Sequence, residues 1–130
     1  PEVFTTEYQP PRTDGSGNLR ANLKSAVDLL AQAGWRVDSK TRKLTHAASG
    51  QAMRFEILLV MPLFERIALP FKKNLERLGI EVEVRTVDSA QYEERLKNYD
   101  FDMMVAGFPQ SLSPGNEQRL FWSSAFADQP

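Results

Sequence analysis

The chain has 130 residues, 42% of them hydrophobic and 25% charged, the ordinary balance of one globular domain, long enough to bury about two-thirds of its unfolded surface. A net charge of -1, with acids and bases interspersed, gives no nucleic-acid footprint, and the absence of cysteine excludes disulfides and thiolate metal sites. No apolar run approaches the roughly 20 residues of a membrane span, so direct membrane insertion is not expected.

Residues 1–18 carry Pro10-Pro11, Gly15, Gly17 and Asn18 without periodicity and read as an extended loop or linker. Thr13–Asn18 lacks the alternating oxygen ligands and distal glutamate of a calcium loop, so a plain turn is the better reading. The first residues, Pro1-Glu2-Val3-Phe4, carry no signal peptide, and 125–130 read as a truncated tail; the expectation is an excised piece of a longer protein.

The first helix is expected over Leu19–Ala33, with Leu23, Ala26, Val27, Leu30 and Ala33 as its apolar stripe, Asn18 or Asn22 as cap, and Gly34 at its end with Trp35 packing back. Arg36–Val60 reads as a strand pair: a polar arm Arg36–His46, a turn at Ser49-Gly50-Gln51, and an apolar strand Ala52–Val60. His46, the single histidine, is expected as a hairpin residue rather than a catalyst or metal ligand. Leu63–Leu78 reads as a second helix with Phe64, Ile67, Phe71, Leu75 and Leu78 buried, kinked or restarted at Pro70 and ended by Gly79.

Ile80–Val87 alternates as a half-covered strand near a sheet edge. Asp88, with Gln91 three residues on, caps the helix Ser89–Asn98, whose Glu93-Glu94-Arg95-Lys97 cluster reads as a solvated face. Phe101–Gly107 is continuously apolar through Met103-Met104-Val105-Ala106, as a central parallel strand would be. Strands alternating with helices over short connections specify an α/β mixed sheet with right-handed βαβ crossover units and flanking helices.

No catalytic residues, metal ligands or cofactor site emerge: there is no nucleophile elbow, phosphate loop, dinucleotide fingerprint or histidine pair. Asp100 and Asp102 flank Phe101 on one side of the strand, but at its amino end, and read as a hydrated strand entry. Ligand sites in open α/β sheets lie beyond the carboxyl ends of strands. That points to the loop Phe108-Pro109-Gln110-Ser111-Leu112-Ser113-Pro114-Gly115-Asn116, where an aromatic residue, stiffening prolines and neutral hydrogen-bonding groups suit a concave site for a polar ligand. An ordinary surface loop is the equally weighted alternative.

Four segments in order carry a resemblance. Ala26-Val27-Asp28-Leu29-Leu30-Ala31-Gln32-Ala33-Gly34-Trp35, Leu75-Glu76-Arg77-Leu78-Gly79-Ile80-Glu81-Val82, Asp88-Ser89-Ala90-Gln91-Tyr92, and Asp100-Phe101-Asp102 with Ala106-Gly107-Phe108 resemble family 5 extracytoplasmic solute-binding proteins, the oligopeptide- and dipeptide-binding components of ABC importers. Leu112-Ser113-Pro114-Gly115-Asn116-Glu117-Gln118 is most similar to the YejA-like subgroup. The resemblance implies a lobe fragment (residues 19–124) of a periplasmic-binding-protein type II fold, part of the carboxy-terminal lobe lining one wall of a cleft. It implies a non-enzymatic, periplasmic, monomeric binder with a peptide ligand and, through the full-length protein, a membrane permease as partner.

In that family an aromatic wall follows the glycine, an aspartate three residues later pairs with the peptide's amino terminus, and some members have an arginine two positions before the glycine. Here Phe108, Ser111 and Val105 stand at those places. The implied ligand-binding residues are Phe108, Pro109, Gln110, Ser111, Leu112 and Ser113, contacting ligand by stacking and neutral hydrogen bonds. Either the other lobe supplies the missing carboxylate or the ligand differs. The alternative classes are a stand-alone α/β interaction or regulatory domain, or a hydrolase whose nucleophile would lie near Ser111–Ser113.

Overall fold

The computed structural model describes residues 9–16, 19–113 and 115–126. Most of the expected linker (residues 1–8 and 17–18), the Asn18 cap, Pro114 and most of the expected tail (residues 127–130) lie outside the described residues. Within the linker that is described, the carboxylate of Asp14 accepts the Ser16 amide at 2.9 Å, a plain Asx turn. None of the helices among the described residues is long and apolar enough to cross a membrane.

Helix α1 (Arg20–Gln32) turns Leu23, Ala26 and Leu30 onto the core, while Val27 stays 45% exposed. The expected strand pair forms only as a short antiparallel bridge, Thr45 against Ala52, with the Met53 amide donating to the Leu44 carbonyl at 2.8 Å. The polar arm folds back on itself as an antiparallel hairpin, β1 (Trp35–Val37) against β2 (Leu44–His46), because Asp38 closes a turn. Its carboxylate accepts the amides of Lys40 at 3.0 Å and Thr41 at 2.6 Å, side-chain turn chemistry that strand periodicity does not reveal. The turn expected at Ser49-Gly50-Gln51 does form, with Gly50 donating to the His46 carbonyl.

The apolar segment then enters a parallel sheet as β3 (Arg54–Leu59). A single 3-10 turn (Pro62–Phe64) leads into α2 (Glu65–Glu76), which is continuous through Pro70. Strand β4 (Glu81–Thr86), helix α3 (Ser89–Lys97) and the two-residue strand β5 (Met103–Met104) follow. Asp88 caps α3 as its position demands, accepting the amides of Ala90 and Gln91 at 3.0 Å each.

The sheet order is β4-β3-β5, with both pairs parallel. The first crossover leaves β3 in one direction and the second returns past it, so right-handed connections put α2 and α3 on opposite faces. Strand β4 is at an edge, as its alternation indicates. The centre, however, is β3, whose Ile57, Leu58 and Leu59 are all buried, and β5 is the other edge. An uninterrupted apolar run marks covered faces, and it does not tell a central strand from an edge whose far side is open.

The core joins Ile57, Leu59 and Val82 of the sheet to Ala68, Leu78 and Ile80 around α2, and to Leu44 of the hairpin. The expected α2 stripe is shifted: Phe64, Ala68, Leu75 and Leu78 face the core, whereas Ile67 and Phe71 are exposed at the β5 side. The weld between these parts is Gly79. It ends α2 in a left-handed conformation (φ 82°), its amide donating to the Glu76 carbonyl at 3.0 Å and that of Ile80 to Leu75 at 3.2 Å. Its carbonyl accepts the Leu44 amide at 2.7 Å. A Cβ there would stand 2.8 Å from the Leu44 nitrogen and 2.9 Å from the Arg42 oxygen, both backbone.

Gly79→Ala therefore combines left-handed strain, about 1–3 kcal/mol, with a backbone collision. In urea denaturation it should lose clearly more stability than Gly50→Ala, whose positive φ is similar but whose added Cβ meets nothing within 4 Å. Equal losses would mean that the hairpin is not welded at this point.

Candidate ligand-binding site

Strand β5 is fixed from its amino end by charge. The two aspartates expected as a hydrated entry are both engaged. Asp102 accepts the backbone amide of Glu56 at 2.8 Å, extending the β3–β5 ladder by one side-chain bond. Asp100 holds Arg95 at 3.0 Å, and Arg95 also meets Glu56 at 2.6 Å. Arg95 is thus turned onto the sheet rather than part of a solvated face, and its hydrogen bond to Glu56 is the main influence pushing the guanidinium pKa up. Glu56 in turn binds Arg85 at 2.6 Å.

The chain leaves β5 beside Tyr92 of α3, whose hydroxyl donates to the Val105 carbonyl at 3.4 Å. It then enters the loop that holds Phe108, Pro109, Gln110, Ser111, Leu112 and Ser113, beyond the carboxyl end of a parallel strand. Helix α4 (Asn116–Trp122), for which the sequence offers only the short apolar run Leu120-Phe121-Trp122, returns against this loop. It supplies a partner for three of the six candidates. Phe108 meets the Phe121 ring edge-on at 5.5 Å and lies tilted to Trp122 at 5.6 Å. Gln110 accepts from the Gln118 side-chain amide, and Ser111 is held by Glu117.

Glu117 organises the loop. One carboxylate oxygen accepts the Ser111 hydroxyl at 2.6 Å, the Gly115 amide at 3.1 Å and the Ser111 amide at 3.4 Å. A Cβ at Gly115 would lie 2.5 Å from the other carboxylate oxygen, so a side chain there would make the Glu117 carboxylate shift. The donors, led by the Ser111 hydroxyl, lower the Glu117 pKa from 4.5 to about 2, so the group is an anion at neutral pH. The Ser111 hydroxyl lies between this carboxylate and the Ser113 carbonyl, with one proton to donate. Leu112 is fully exposed, and Pro109 and Ser113 are also at the surface.

This arrangement offers an aromatic surface and polar groups on a braced loop. The single histidine lies apart from it: His46 is on the β1–β2 hairpin, edge-on to Trp35 at 5.1 Å, on the side of Gly34. Among the described residues no group of three or more His, Asp or Glu side chains could hold a metal ion. A cleft of about 470 Å³ lies elsewhere, along β3 and β4 among Arg54, Glu56, Glu83 and Arg85. It opens to solvent, and three of those four charges are paired, Arg85 with Glu56 at 2.6 Å and with Glu83 at 2.7 Å. The sequence contained signals for Glu117 and the two rings, an acid after a glycine in a first turn and an aromatic pair, but not for their meeting with residues 108–111.

Because the shift in Glu117 lowers the folded pKa, its bracing of the loop is complete above the ordinary value of 4.5 and is lost as pH falls from there through about 2. A carbon-13 NMR titration should place the Glu117 carboxyl near that lowered value, and Ser111→Ala should raise it toward the ordinary one. An unchanged titration in the variant would remove the serine from this role.

Comparison with known proteins places these features in a family. Residues 2–129 match the model "Bacterial extracellular solute-binding proteins, family 5 Middle". The protein y4wM of Sinorhizobium fredii is 45% identical over 127 residues, covering 98% of this chain and 19% of that protein. The "Probable peptide-binding protein YejA" of Agrobacterium fabrum is 41% identical over 129 residues, 99% of this chain and 21% of the relative. Among solved structures, the oligopeptide-binding protein AppA of Bacillus subtilis, in complex with a nonapeptide, superimposes with a TM-score of 0.68 at 29% identity, over 80% of this chain and 21% of that one. The chain thus spans about a fifth of the length of the curated relatives it matches.

Proposed function

The chain belongs to the bacterial extracellular solute-binding proteins of family 5, a family of binders rather than catalysts, and from that premise we propose that it forms part of the peptide-binding component of a periplasmic ABC importer. Residues 19–124 would contribute to the carboxy-terminal lobe. The loop Phe108–Ser113 would line one wall of the ligand cleft, with the second wall supplied by another part of the longer protein. Closure of two such walls would sequester the ligand before delivery to the membrane permease.

The observation that carries this reading is the braced aromatic loop beyond β5: Phe108 against Phe121 and Trp122, fixed in place through Ser111 and Glu117. A surface held before the ligand arrives avoids the ordering cost of a free loop. The likeness of this chain to relatives described as peptide-binding supports peptides as the ligand class. Exposed rings can lie along a peptide backbone or side chain, and Gln110 and the backbone of the loop supply neutral hydrogen bonds.

Calorimetry on the full-length monomeric protein with short peptides tests this. Phe108→Ala and Trp122→Ala should each weaken binding about tenfold, or ~1.4 kcal/mol, near the upper end for an aromatic contact. Wild-type affinity in both variants would show that the ligand lies elsewhere. A separate expectation concerns the 130-residue chain alone, which has a single wall and should bind the same peptides weakly or not at all; micromolar affinity in that chain would contradict the two-wall reading.

A further inference from the structure

We infer that Arg119 is the charged anchor of the site, pairing with a carboxylate of the bound ligand at the rim of the aromatic wall. The inference rests on the peptide reading above and adds the group that this wall recognises. Arg119 is the only basic residue after Lys97, and the loop residues 108–113 carry no charge. Glu117, which braces them, has the wrong sign for an anionic group and already takes three donors on one oxygen. A ligand carboxylate enclosed here would lose its hydration, and Arg119 is the cation placed to compensate it.

The placement follows from α4. Its Glu117, Gln118, Phe121 and Trp122 all meet the loop. Arg119 follows Gln118 directly and precedes Trp122 by three positions, which sets side chains side by side on a helix, with Cβ atoms about 5–6 Å apart. Glu117 is two positions away, and residues at that spacing do not face each other, so its anion does not take up this cation. Among the described residues the ion pairs use Lys43, Lys72, Arg85 and Arg95, and Arg119 is in none of them.

Its one contact prepares it for a ligand. The guanidinium Cζ stands over the Phe126 ring, 5.5 Å from the centroid, where the short 3-10 turn Ser124–Phe126 brings that ring back to the helix. Stacking takes up a face of the planar group and leaves its N–H edge open, the edge that accepts both oxygens of a carboxylate at once. A side chain already held this way has less rotamer freedom to lose on binding. The anion can be the carboxyl end of a peptide or an acidic side chain within it; both present the same planar pair of oxygens.

A mixture of random tetrapeptides, half with free carboxyl ends and half as carboxamides, offered to the full-length protein tests this, with the retained peptides identified by mass spectrometry. Wild-type protein should enrich carboxylate-bearing peptides at least about tenfold. Enrichment of free ends assigns the α-carboxylate, and enrichment of Asp- or Glu-containing carboxamides assigns a side chain. Arg119→Gln should abolish the enrichment while still retaining neutral peptides, and Arg119→Lys, which keeps the charge without the fork, should preserve part of it. No enrichment by the wild type, or equal enrichment by Arg119→Gln, would overturn the inference. Loss of every peptide in both variants would make Arg119 structural and overturn it as well. Wild-type protein that retains no peptide of either form would instead refute the peptide reading, and this inference with it.

Discussion

The arrangement depends on one backbone contact, the closure of the Gly79 carbonyl on the Leu44 amide at 2.7 Å. Three elements meet there: the end of α2, the start of β4 and the second arm of the hairpin. The helix stops through a residue in the left-handed region, and the hairpin approaches so closely that no side chain fits. With this junction set, Leu44, Leu78 and Ile80 come together as one buried group, and β4 is aimed along β3 in parallel register from Arg54↔Glu81 to Leu59↔Thr86. Burial of aliphatic side chains, at ~1.5–3 kcal/mol each, then supplies most of the cohesion.

Charge performs a different task. Exposed pairs such as Lys72–Glu76 and Arg85–Glu83 contribute only ~0–1 kcal/mol each and do not hold the sheet together. The network around Glu56 is more enclosed, with the Glu56 side chain 16% exposed and that of Arg95 21% exposed. Its geometric effect is specific. It anchors α3 to the sheet and, with the Asp102 bond to the Glu56 amide, sets where β5 begins. Since β5 has only two ladder residues, this anchoring determines where the following loop emerges.

What was legible in the sequence was what local chemistry decides. The Gly34 and Gly79 stops, the Asp88 cap, the alternation of β4 and the α/β order all follow from neighbours a few residues apart. The Asp38 turn was equally local but was masked by an expectation of strand across Arg36–His46. The place of β3 at the sheet centre and the exposure of Ile67 and Phe71 depend on which strands are neighbours, which apolar periodicity cannot encode. The solvated reading of Arg95 failed similarly, because its partner Glu56 is 39 positions away in sequence. At the candidate site the loop itself was legible from its prolines, glycines and place after β5. Its bracing by α4 was not, since the pairs Phe108–Phe121, Gln110–Gln118 and Ser111–Glu117 join two segments that each look unremarkable alone.

The substitution of serine at position 111 looks different once Glu117 is in place. From sequence it removes a carboxylate from the loop, leaving stacking and neutral hydrogen bonds. In the structure an anion stands 2.6 Å from the Ser111 hydroxyl, supplied by the next helix. That anion is committed to bracing: three donors converge on one of its oxygens and keep it ionised well below neutral pH. A carboxylate used in this way gives the loop stiffness first and negative potential second. On the proposed reading the rings of Phe108, Phe121 and Trp122 would be the contact surface, while Ser111, in place of a charged contact, ties those rings to the fold.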